Sequence, residues 1–237
     1  MPSEILNGRL VLPHTDGPFP LGTDAVLLGD FARPPRGAAV CDLCAGSGAV
    51  GLLLLARDPS LTVTALELQP RSCALMEQAV RENGIAHSFH PIQGDLRRVR
   101  ELLPAGRFSH VVCNPPYYPV GQGFAPEQQE QAVAKTELCC TLEEVCAAAA
   151  WLLRTGGCLW MVHLPQRLTD LLCSLRAGGL EPKLLRTVCP KPNAAPSLLL
   201  LKAVRGGKPG LRWEAPLLLA NADGSPTQEY RRIYHMD

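Results

Sequence analysis

Residues 38–51 have the sequence AAVCDLCAGSGAVG, in which an apolar run passes into a glycine-rich turn. The apolar part, residues 38–43, predicts a buried strand, and the residues after the turn predict a helix. The turn carries Gly46, Gly48 and Gly51 at the Gly-x-Gly-x-x-Gly spacing of dinucleotide-binding proteins. A strand, a glycine turn and a helix in this order are typical of an open α/β sheet that binds its ligand at the strand ends.

The same alternation of strands and helices continues along the chain. Further buried strands are predicted at residues 61–68, 89–92, 108–113, 158–164, 184–189 and 197–204. Helices are predicted at residues 21–33, 49–55, 70–83, 142–154 and 168–175, with a short terminal helix after Thr227. The first helix has Thr23 or Asp24 as its expected N-cap. The pattern predicts an α/β fold with a doubly wound, mostly parallel, seven-stranded, Rossmann-like sheet, and the last two runs predict its antiparallel edge strand.

The length of 237 residues and the apolar content of 46% favour one large α/β domain over residues 1–237. Within it we expect an N-terminal strand and helix cap at 1–37, a Rossmann-like core at 38–205 and a C-terminal extension at 206–237. The net charge of +1 predicts no global field for nucleic acid, so any polyanion must meet a local patch. No signal peptide or membrane span is predicted, so we expect a cytoplasmic protein whose ten cysteines are free thiols.

Three acidic residues end the first three strands of the core. Asp42 stands just before the glycine turn, where a carboxylate would repel a pyrophosphate and favour the sulfonium and ammonium groups of S-adenosylmethionine. Glu67 lies about twenty residues further on, where an acid can hold ribose hydroxyls. Asp95 is placed to accept a hydrogen bond from an adenine amine. Structural alternatives remain open, with Asp42 tying down the loop, Glu67 as a solvated strand end and Asp95 as a turn residue.

A second motif, Asn114-Pro115-Pro116-Tyr117, follows the strand at 108–113. The two prolines fix φ and remove two donors, so this turn is rigid and its carbonyls can accept hydrogen bonds. The Asn114 carbonyl and the Tyr117 ring suit a planar group that carries an amine. We therefore predict Asn114, Pro115 and Tyr117 as catalytic residues and all four residues as substrate-binding. The alternative is a purely structural turn after a strand.

The ordered motifs resemble those of class I S-adenosylmethionine-dependent methyltransferases that act on amino nitrogens. With LGTDA at residues 21–25 and EYRRIY at residues 229–234, the chain is similar to bacterial tRNA adenine-N6 methyltransferases acting beside the anticodon of a valine tRNA. The resemblance implies S-adenosylmethionine as the cofactor and a flipped adenine of a structured tRNA, stacked on Tyr117, as the substrate. The cofactor-binding residues that it implies are Gly22, Thr23, Asp24, Asp42, Cys44, Gly46, Gly48, Glu67, Leu68, Asp95, Leu96 and Asn114.

Contact with RNA is expected to be local. The basic residues between 176 and 212 are Arg176, Lys183, Arg186, Lys191, Lys202, Arg205, Lys208 and Arg212, against the single acid Glu181. This stripe could meet phosphates, and the alternative is a solvated basic face. The glycine- and glutamine-rich residues 118–134 predict a functional or mobile loop without a basic side chain. No metal is expected, since Cys41 and Cys44 lack a second cysteine pair at zinc-ligand distance. The oligomeric state is left open, with a monomer favoured.

Other functions compete with this interpretation. Glutamine N5-methyltransferases of release factors share the Asn-Pro-Pro-Tyr motif, but they carry a sizeable helical domain before the glycine turn. Only about forty residues precede Asp42 here. An rRNA guanine-N2 methyltransferase is a further alternative. From other classes, Asp42 opposes an NAD(P)-dependent oxidoreductase, and intact cofactor motifs oppose a non-catalytic RNA-binding protein.

Overall fold

A computed structural model describes residues 3–5, 10–12, 21–117 and 140–236, with only the backbone of residues 3–5. The strands are β1 Ser3–Ile5, β2 Leu10–Leu12, β3 Ala39–Leu43, β4 Thr62–Glu67, β5 Phe89–Gln93, β6 Phe108–Cys113, β7 Leu153–His163, β8 Leu180–Cys189, β9 Leu198–Arg205, β10 Arg212–Trp213 and β11 Leu217–Leu218. The α-helices are α1 Thr23–Phe31, α2 Ala49–Arg57, α3 Pro70–Asn83, α4 Val99–Leu102, α5 Leu142–Leu152, α6 Leu168–Ala177 and α7 Gln228–Tyr234. The loop predicted at residues 118–134 lies outside the described residues.

One large sheet organises the chain, with the strand order β10-β8-β9-β7-β6-β3-β4-β5 and β11 also paired with β8. Strands β7, β6, β3, β4 and β5 are parallel. Strand β9 runs antiparallel to both β7 and β8 near one edge. The mostly parallel sheet with an antiparallel edge is confirmed. Its seven long strands match the seven predicted runs, and the two-residue strands β10 and β11 extend it. The division into 1–37, 38–205 and 206–237 stays a prediction.

Helices cover both faces of this sheet. Alternate residues of β3 show this, because Val40 belongs to the apolar cluster under α1, α2 and α3, whereas Cys41 belongs to the cluster under α5 and α6. Side chains of a strand point to alternate faces, so a strand buried on both sides has an almost continuous apolar sequence. The apolar run before the glycine turn therefore follows from its central place in the sheet.

The turn between β3 and α2 depends on the absence of side chains at two glycines. Gly48 has φ of 82°, and a Cβ there would lie 3.0 Å from atoms of both Met76 and Phe89. A Cβ at Gly51 would lie 2.8 Å from Phe89 Cε2 and 2.9 Å from Val63 Cγ1. The two glycines thus let the start of α2 approach the sheet closely.

We expect Gly51→Ala to lower the free energy of unfolding by ~1–3 kcal/mol, because the added methyl overpacks the contact with Phe89 and Val63. The matched control is Gly84→Ala, where φ of 64° strains an alanine but a Cβ would have no atom within 4 Å. Urea unfolding of the unliganded protein measures both. If Gly51→Ala lowers the free energy of unfolding no more than Gly84→Ala does, the contact between α2 and the sheet can accommodate a methyl group.

Two boundaries differ from the prediction. The N-cap of α1 is Gly22, and it makes no side-chain cap hydrogen bond, so neither Thr23 nor Asp24 is the N-cap. Helix α5 ends at Leu152 rather than at residue 154, because Leu153 already pairs with Phe108 at the start of β7. An irregularity in the pairing follows between Phe108 and His110.

Candidate active site

The predicted acids and the Asn-Pro-Pro-Tyr turn meet at one edge of the sheet. In register, Leu43 pairs with Leu66 of β4 and with Cys113 of β6, so these three parallel strands end side by side. Asp42, Glu67 and Asn114 are therefore neighbours at the carboxyl ends of the strands. This is the edge at which open α/β sheets bind their ligands.

Glu67 is fixed in place by backbone amides. It is 8% exposed, and its Oε2 accepts the Gly46 N–H at 2.8 Å while its Oε1 accepts the Gln69 N–H at 2.8 Å. The carboxylate thus joins the glycine turn to the start of α3. Each carboxylate oxygen has a second lone pair, so both can accept a further hydrogen bond from a ligand.

Asp42 is a buried carboxyl group beneath the same turn. It is 1% exposed, and its Oδ2 accepts the Gly51 N–H at 2.8 Å, so it does tie down the loop. The pKa of Asp42 is raised to about 8, mainly by burial, with the Gly51 amide acting to lower it and the charge of Glu67 acting to raise it. A positively charged ligand beside Asp42 would stabilise the ionised form and reverse this shift.

Asp42→Asn should make the stability of the unliganded protein less sensitive to pH. The folded pKa of about 8 lies above the ordinary value of 3.8, so between these pH values the folded state keeps a proton that the unfolded chain has lost. Raising the pH over this window therefore favours unfolding of the wild type. We expect the stability of the variant relative to wild type to grow by up to ~1.4 kcal/mol per pH unit.

Urea unfolding at several pH values between about 5 and about 9 measures this difference. This range covers most of the window and extends about one pH unit above it. Asp58→Asn is the control, because hydrogen bonds from Ser60 lower the pKa of that exposed carboxyl, so it is ionised in both folded and unfolded states over this range and the variant should follow the pH dependence of the wild type. Parallel stability curves for wild type and Asp42→Asn would contradict a raised pKa at Asp42.

Open space lies over the glycine turn beside Glu67. A Cβ built on Gly46 would have no atom within 4 Å, and Gly46 has φ of 55°. Cys44, a non-glycine residue, also has a left-handed φ of 60°, and such strained positions cluster at functional sites. Leu68, directly after Glu67, is 36% exposed. A buried acid, paired acceptors and an exposed apolar side chain fit a ligand with a cation, a ribose and a flat ring.

Asp95 is engaged more fully than we expected. It caps the 3-10 turn Leu96–Arg98 by accepting the Arg97 N–H at 2.9 Å, and its Oδ2 lies 2.5 Å from the Arg97 guanidinium. The hydrogen bond from the Arg97 side chain lowers the pKa of Asp95. Asp95 therefore does act as a turn residue, which was the structural alternative. Contact of Asp95 with an adenine amine stays a prediction, as does that of the buried Leu96.

The Asn-Pro-Pro-Tyr turn is linked to the start of α1. The Tyr117 hydroxyl contacts Asp24 Oδ2 at 3.0 Å and also makes a short contact with Asn114 Oδ1. The Tyr117 ring is 9% exposed overall and packs edge-on against His163 at 5.4 Å. Pro115 is buried, whereas Asn114 and Pro116 are half-buried. Stacking of Tyr117 on a base stays a prediction.

His163 is a neighbour of the site that the sequence analysis missed. It ends β7 at the same sheet edge, which is the signal that could have identified it. Its Nδ1 accepts the Leu164 N–H at 2.9 Å, which places the ring proton on Nε2. Burial lowers the pKa of His163 to about 4, so the ring is neutral at physiological pH.

The C-terminal helix holds α1 in position. Arg232 of α7 donates two hydrogen bonds to Asp30 of α1, at 3.1 and 3.0 Å. Glu229 accepts two from Arg186 of β8, at 2.8 and 2.7 Å. The EYRRIY segment therefore connects the helix that carries Asp24 to the edge of the sheet.

A substitution at Gly22 should disturb Asp24 directly, because a Cβ there would lie 2.2 Å from Asp24 Oδ1. Any larger residue at position 22 would therefore require the Asp24 carboxylate to move. Gly22, Thr23 and Asp24 lie together at the start of α1, and Tyr117 joins them to the Asn-Pro-Pro-Tyr turn.

The basic stripe lies mostly away from this edge. Because β8 is parallel to β7, Lys183 near its start and Arg176 before it lie toward the opposite edge. Most of the stripe contacts the chain itself: Arg176 pairs with Glu181, Arg186 with Glu229, Lys183 donates to the Lys208 carbonyl, Arg205 donates to the Leu153 carbonyl, and Lys202 lies over the Trp160 ring. Lys191 follows β8 at the edge that carries the site. Contact of the stripe with RNA stays a prediction.

Two further findings concern the described part of the chain. No helix there is long and apolar enough to cross a membrane. Within the same ranges, no group of three or more His, Cys, Asp or Glu side chains is placed to hold a metal ion.

Comparison with known proteins gives consistent family matches. The chain is 36% identical over 135 residues to a tRNA1(Val) (adenine(37)-N6)-methyltransferase of Citrobacter koseri, covering 55% of this chain and 53% of that protein. A protein of the same name from Aeromonas hydrophila is 26% identical over 214 residues, covering 90% of this chain and 87% of that protein. In the matches above 30% identity, the chain spans about half the length of the relatives.

The fold is also shared with solved structures. A predicted O-methyltransferase from Agrobacterium tumefaciens superposes with a TM-score of 0.73 at 23% identity, covering 90% of this chain and 96% of that chain. The sequence profile of the methyltransferase small domain matches residues 21–171, which run from the start of the Gly22–Asp24 segment through β7 into α6. Because this match covers more than half of the 237 residues, the chain belongs to the methyltransferase small domain family.

Proposed function

We propose that the chain transfers a methyl group from S-adenosylmethionine to the N6 amine of an adenine in tRNA. The expected target is the adenine beside the anticodon of a valine tRNA. The observation that carries the proposal is the position of Asn114 at the same sheet edge as Asp42 and Glu67. The names of relatives from Citrobacter koseri and Aeromonas hydrophila support the adenine and the tRNA.

The glycine turn fits S-adenosylmethionine in charge and shape. The buried Asp42 favours a cation, Glu67 offers acceptors for the ribose hydroxyls, and Leu68 offers an apolar surface for the adenine ring. The space over Gly46 leaves room for the ligand beside these groups. When bound, the cofactor supplies an electrophilic methyl carbon on a positively charged sulfur.

The Asn-Pro-Pro-Tyr turn can correct the weak nucleophilicity of an adenine amine. Asn114 and the Pro115 carbonyl accept the two N–H bonds, which draws the nitrogen toward a tetrahedral arrangement and directs its lone pair at the methyl carbon. Positioning and fixed dipoles make up the catalytic contribution. The leaving thioether is neutral, so the amine proton can pass to water without a strong base. The base itself must leave its stack to reach this edge.

A direct assay tests the proposal. The purified chain, S-adenosylmethionine and an unmodified valine tRNA transcript are expected to yield N6-methyladenosine, detected by mass spectrometry of the nucleosides. A transcript with guanine in place of the target adenine is the control and should remain unmethylated. Methylation of a release-factor glutamine or of guanine in ribosomal RNA, without methylation of the tRNA, would overturn the adenine assignment.

A further inference from the structure

The contacts among the side chains of Asp24, Asn114 and Tyr117 require more hydrogen-bond donors than these atoms supply. Tyr117 Oη lies 3.0 Å from Asp24 Oδ2 and makes a short contact with Asn114 Oδ1. A phenol carries one proton, and an ionised carboxylate and an amide oxygen only accept. Tyr117 can therefore donate to only one of the two oxygens, and the other contact would bring two oxygens together without a proton.

Asp24 is the better acceptor for that proton. Its carboxylate is charged, and hydrogen bonds to charged groups are stronger than those between neutral groups. Asp24 also lies in the first turn of α1, where the helix dipole favours a negative charge, and its Oδ1 accepts the Ala25 N–H at 2.8 Å. Tyr117 thus donates to Asp24, and its oxygen must accept from Asn114.

The Asn114 amide can meet this demand by a half turn of its end group. The turn exchanges Oδ1 and Nδ2, and places an N–H against Tyr117 Oη. Before this half turn, no described residue makes a hydrogen bond with Asn114 Nδ2, so among these residues the exchange breaks no contact. It also turns the Asn114 carbonyl away from Tyr117. An amine substrate needs an acceptor at this point, whereas the amide nitrogen would present only donors.

We propose that Asp24 acts through Tyr117 to orient the Asn114 amide, with its nitrogen on the phenol and its carbonyl available to the substrate amine. The proposal rests on the proposed function and makes Asp24 and Tyr117 positioning residues for methyl transfer. The edge-on contact of His163 with the Tyr117 ring, at 5.4 Å, restrains the phenol that transmits the orientation.

Tyr117→Phe separates this role from base stacking, because phenylalanine keeps the ring and loses only the hydroxyl. We expect kcat to fall on the order of tenfold to a hundredfold, with KM for tRNA and the Kd for cofactor changed far less. Thr62→Val is the control, since it removes an exposed hydroxyl at the start of β4, at the opposite edge of the sheet from the site. An unchanged kcat in Tyr117→Phe would overturn the proposal and leave stacking as the role of Tyr117.

A double-mutant cycle tests the link to Asp24. Asp24→Ala should lower kcat in the wild-type background and lower it little further once the Tyr117 hydroxyl is gone. Cofactor Kd is measured in each variant, so that any loss of cofactor binding is accounted for separately. Fully additive losses in kcat would break the proposed connection.

The side-chain amide resonance of Asn114 gives a readout that needs no substrate. In selectively 15N-labelled protein it is assigned by its loss in Asn114→Ala or Asn114→Asp. The resonance should shift in Tyr117→Phe and in Asp24→Ala but not in Thr62→Val. An unshifted resonance in Tyr117→Phe would overturn the proposal even if tRNA is methylated, whereas absent methylation with a shifted resonance would fail only the proposed function.

Discussion

Asn114→Ala is expected to reduce methyl transfer by about 10²–10³-fold, the loss typical when one preorganised hydrogen-bonding group is removed from an active site. Without Asn114, the substrate amine would lose the acceptor that we propose for one of its N–H bonds, and Tyr117 loses its contact with Asn114 in the turn. The cofactor contacts proposed for Asp42 and Glu67 remain in place. We therefore expect the loss in kcat, with the cofactor Kd nearly unchanged.

Single-turnover methylation and calorimetric titration with S-adenosylmethionine measure the two quantities separately. Asn221→Ala is the matched control, because Asn221 lies in an exposed turn and its side-chain amide donates hydrogen bonds to its neighbours Ser225 and Pro226. Retention of full turnover in Asn114→Ala would remove Asn114 from the catalytic role. A collapse of cofactor affinity would move it to cofactor binding instead.

Glu67→Ala is expected to weaken cofactor binding on the order of tenfold to a hundredfold, because the hydrogen bonds proposed between its carboxylate and two ribose hydroxyls would be lost. The same change leaves the Gly46 and Gln69 amides without their acceptors, so part of the loss comes from the glycine turn. Glu77→Ala, an exposed carboxylate on α3, is the control.

A pair of ligands distinguishes the two sources of that loss. Wild type should bind 5′-methylthioadenosine more tightly than its 2′-deoxy analogue, and Glu67→Ala should discriminate much less between them. Equal affinity of wild type and variant for S-adenosylmethionine would refute the ribose assignment. Unchanged discrimination by the variant would assign Glu67 to the turn alone.

Local patterns were enough to predict most of the elements. Helix α3 has Pro70 at its first position and Gly84 at its end with φ of 64°, both as expected from the sequence. The capping box of Thr141 and Glu144 at the start of α5 is confirmed. These features depend on residues a few positions apart, so the sequence contains all the information they need.

Boundaries set by distant pairing were less predictable. The local sequence predicts that α5 extends to residue 154, but the pairing of Leu153 with Phe108 ends the helix at Leu152. At α1, the usual capping residue Asp24 does not cap the helix, and its Oδ2 contacts a tyrosine 93 positions away in the sequence. Tertiary contacts override local propensity in both cases.

The expectation that polar residues at strand ends lie together predicted which candidate residues share one edge of the sheet, but not how they contact one another. Asp42, Glu67, Asp95 and Asn114 each follow or end a strand, and the parallel register brings the strand ends together. The link from Asp24 to Tyr117 and the contact of His163 could not be derived from spacing. They depend on how α1 and β7 pack beside the turn, which only the assembled structure shows.

The pairing of Asp30 with Arg232 joins residues 202 positions apart in the chain. During synthesis on the ribosome, α1 emerges well before Arg232, which is made 202 residues after Asp30. Closing so long a loop is slow and entropically costly, so this contact belongs to the late steps of folding. A chain truncated before α7 should therefore show faster hydrogen exchange in α1 than the full chain does, with the central strands less affected.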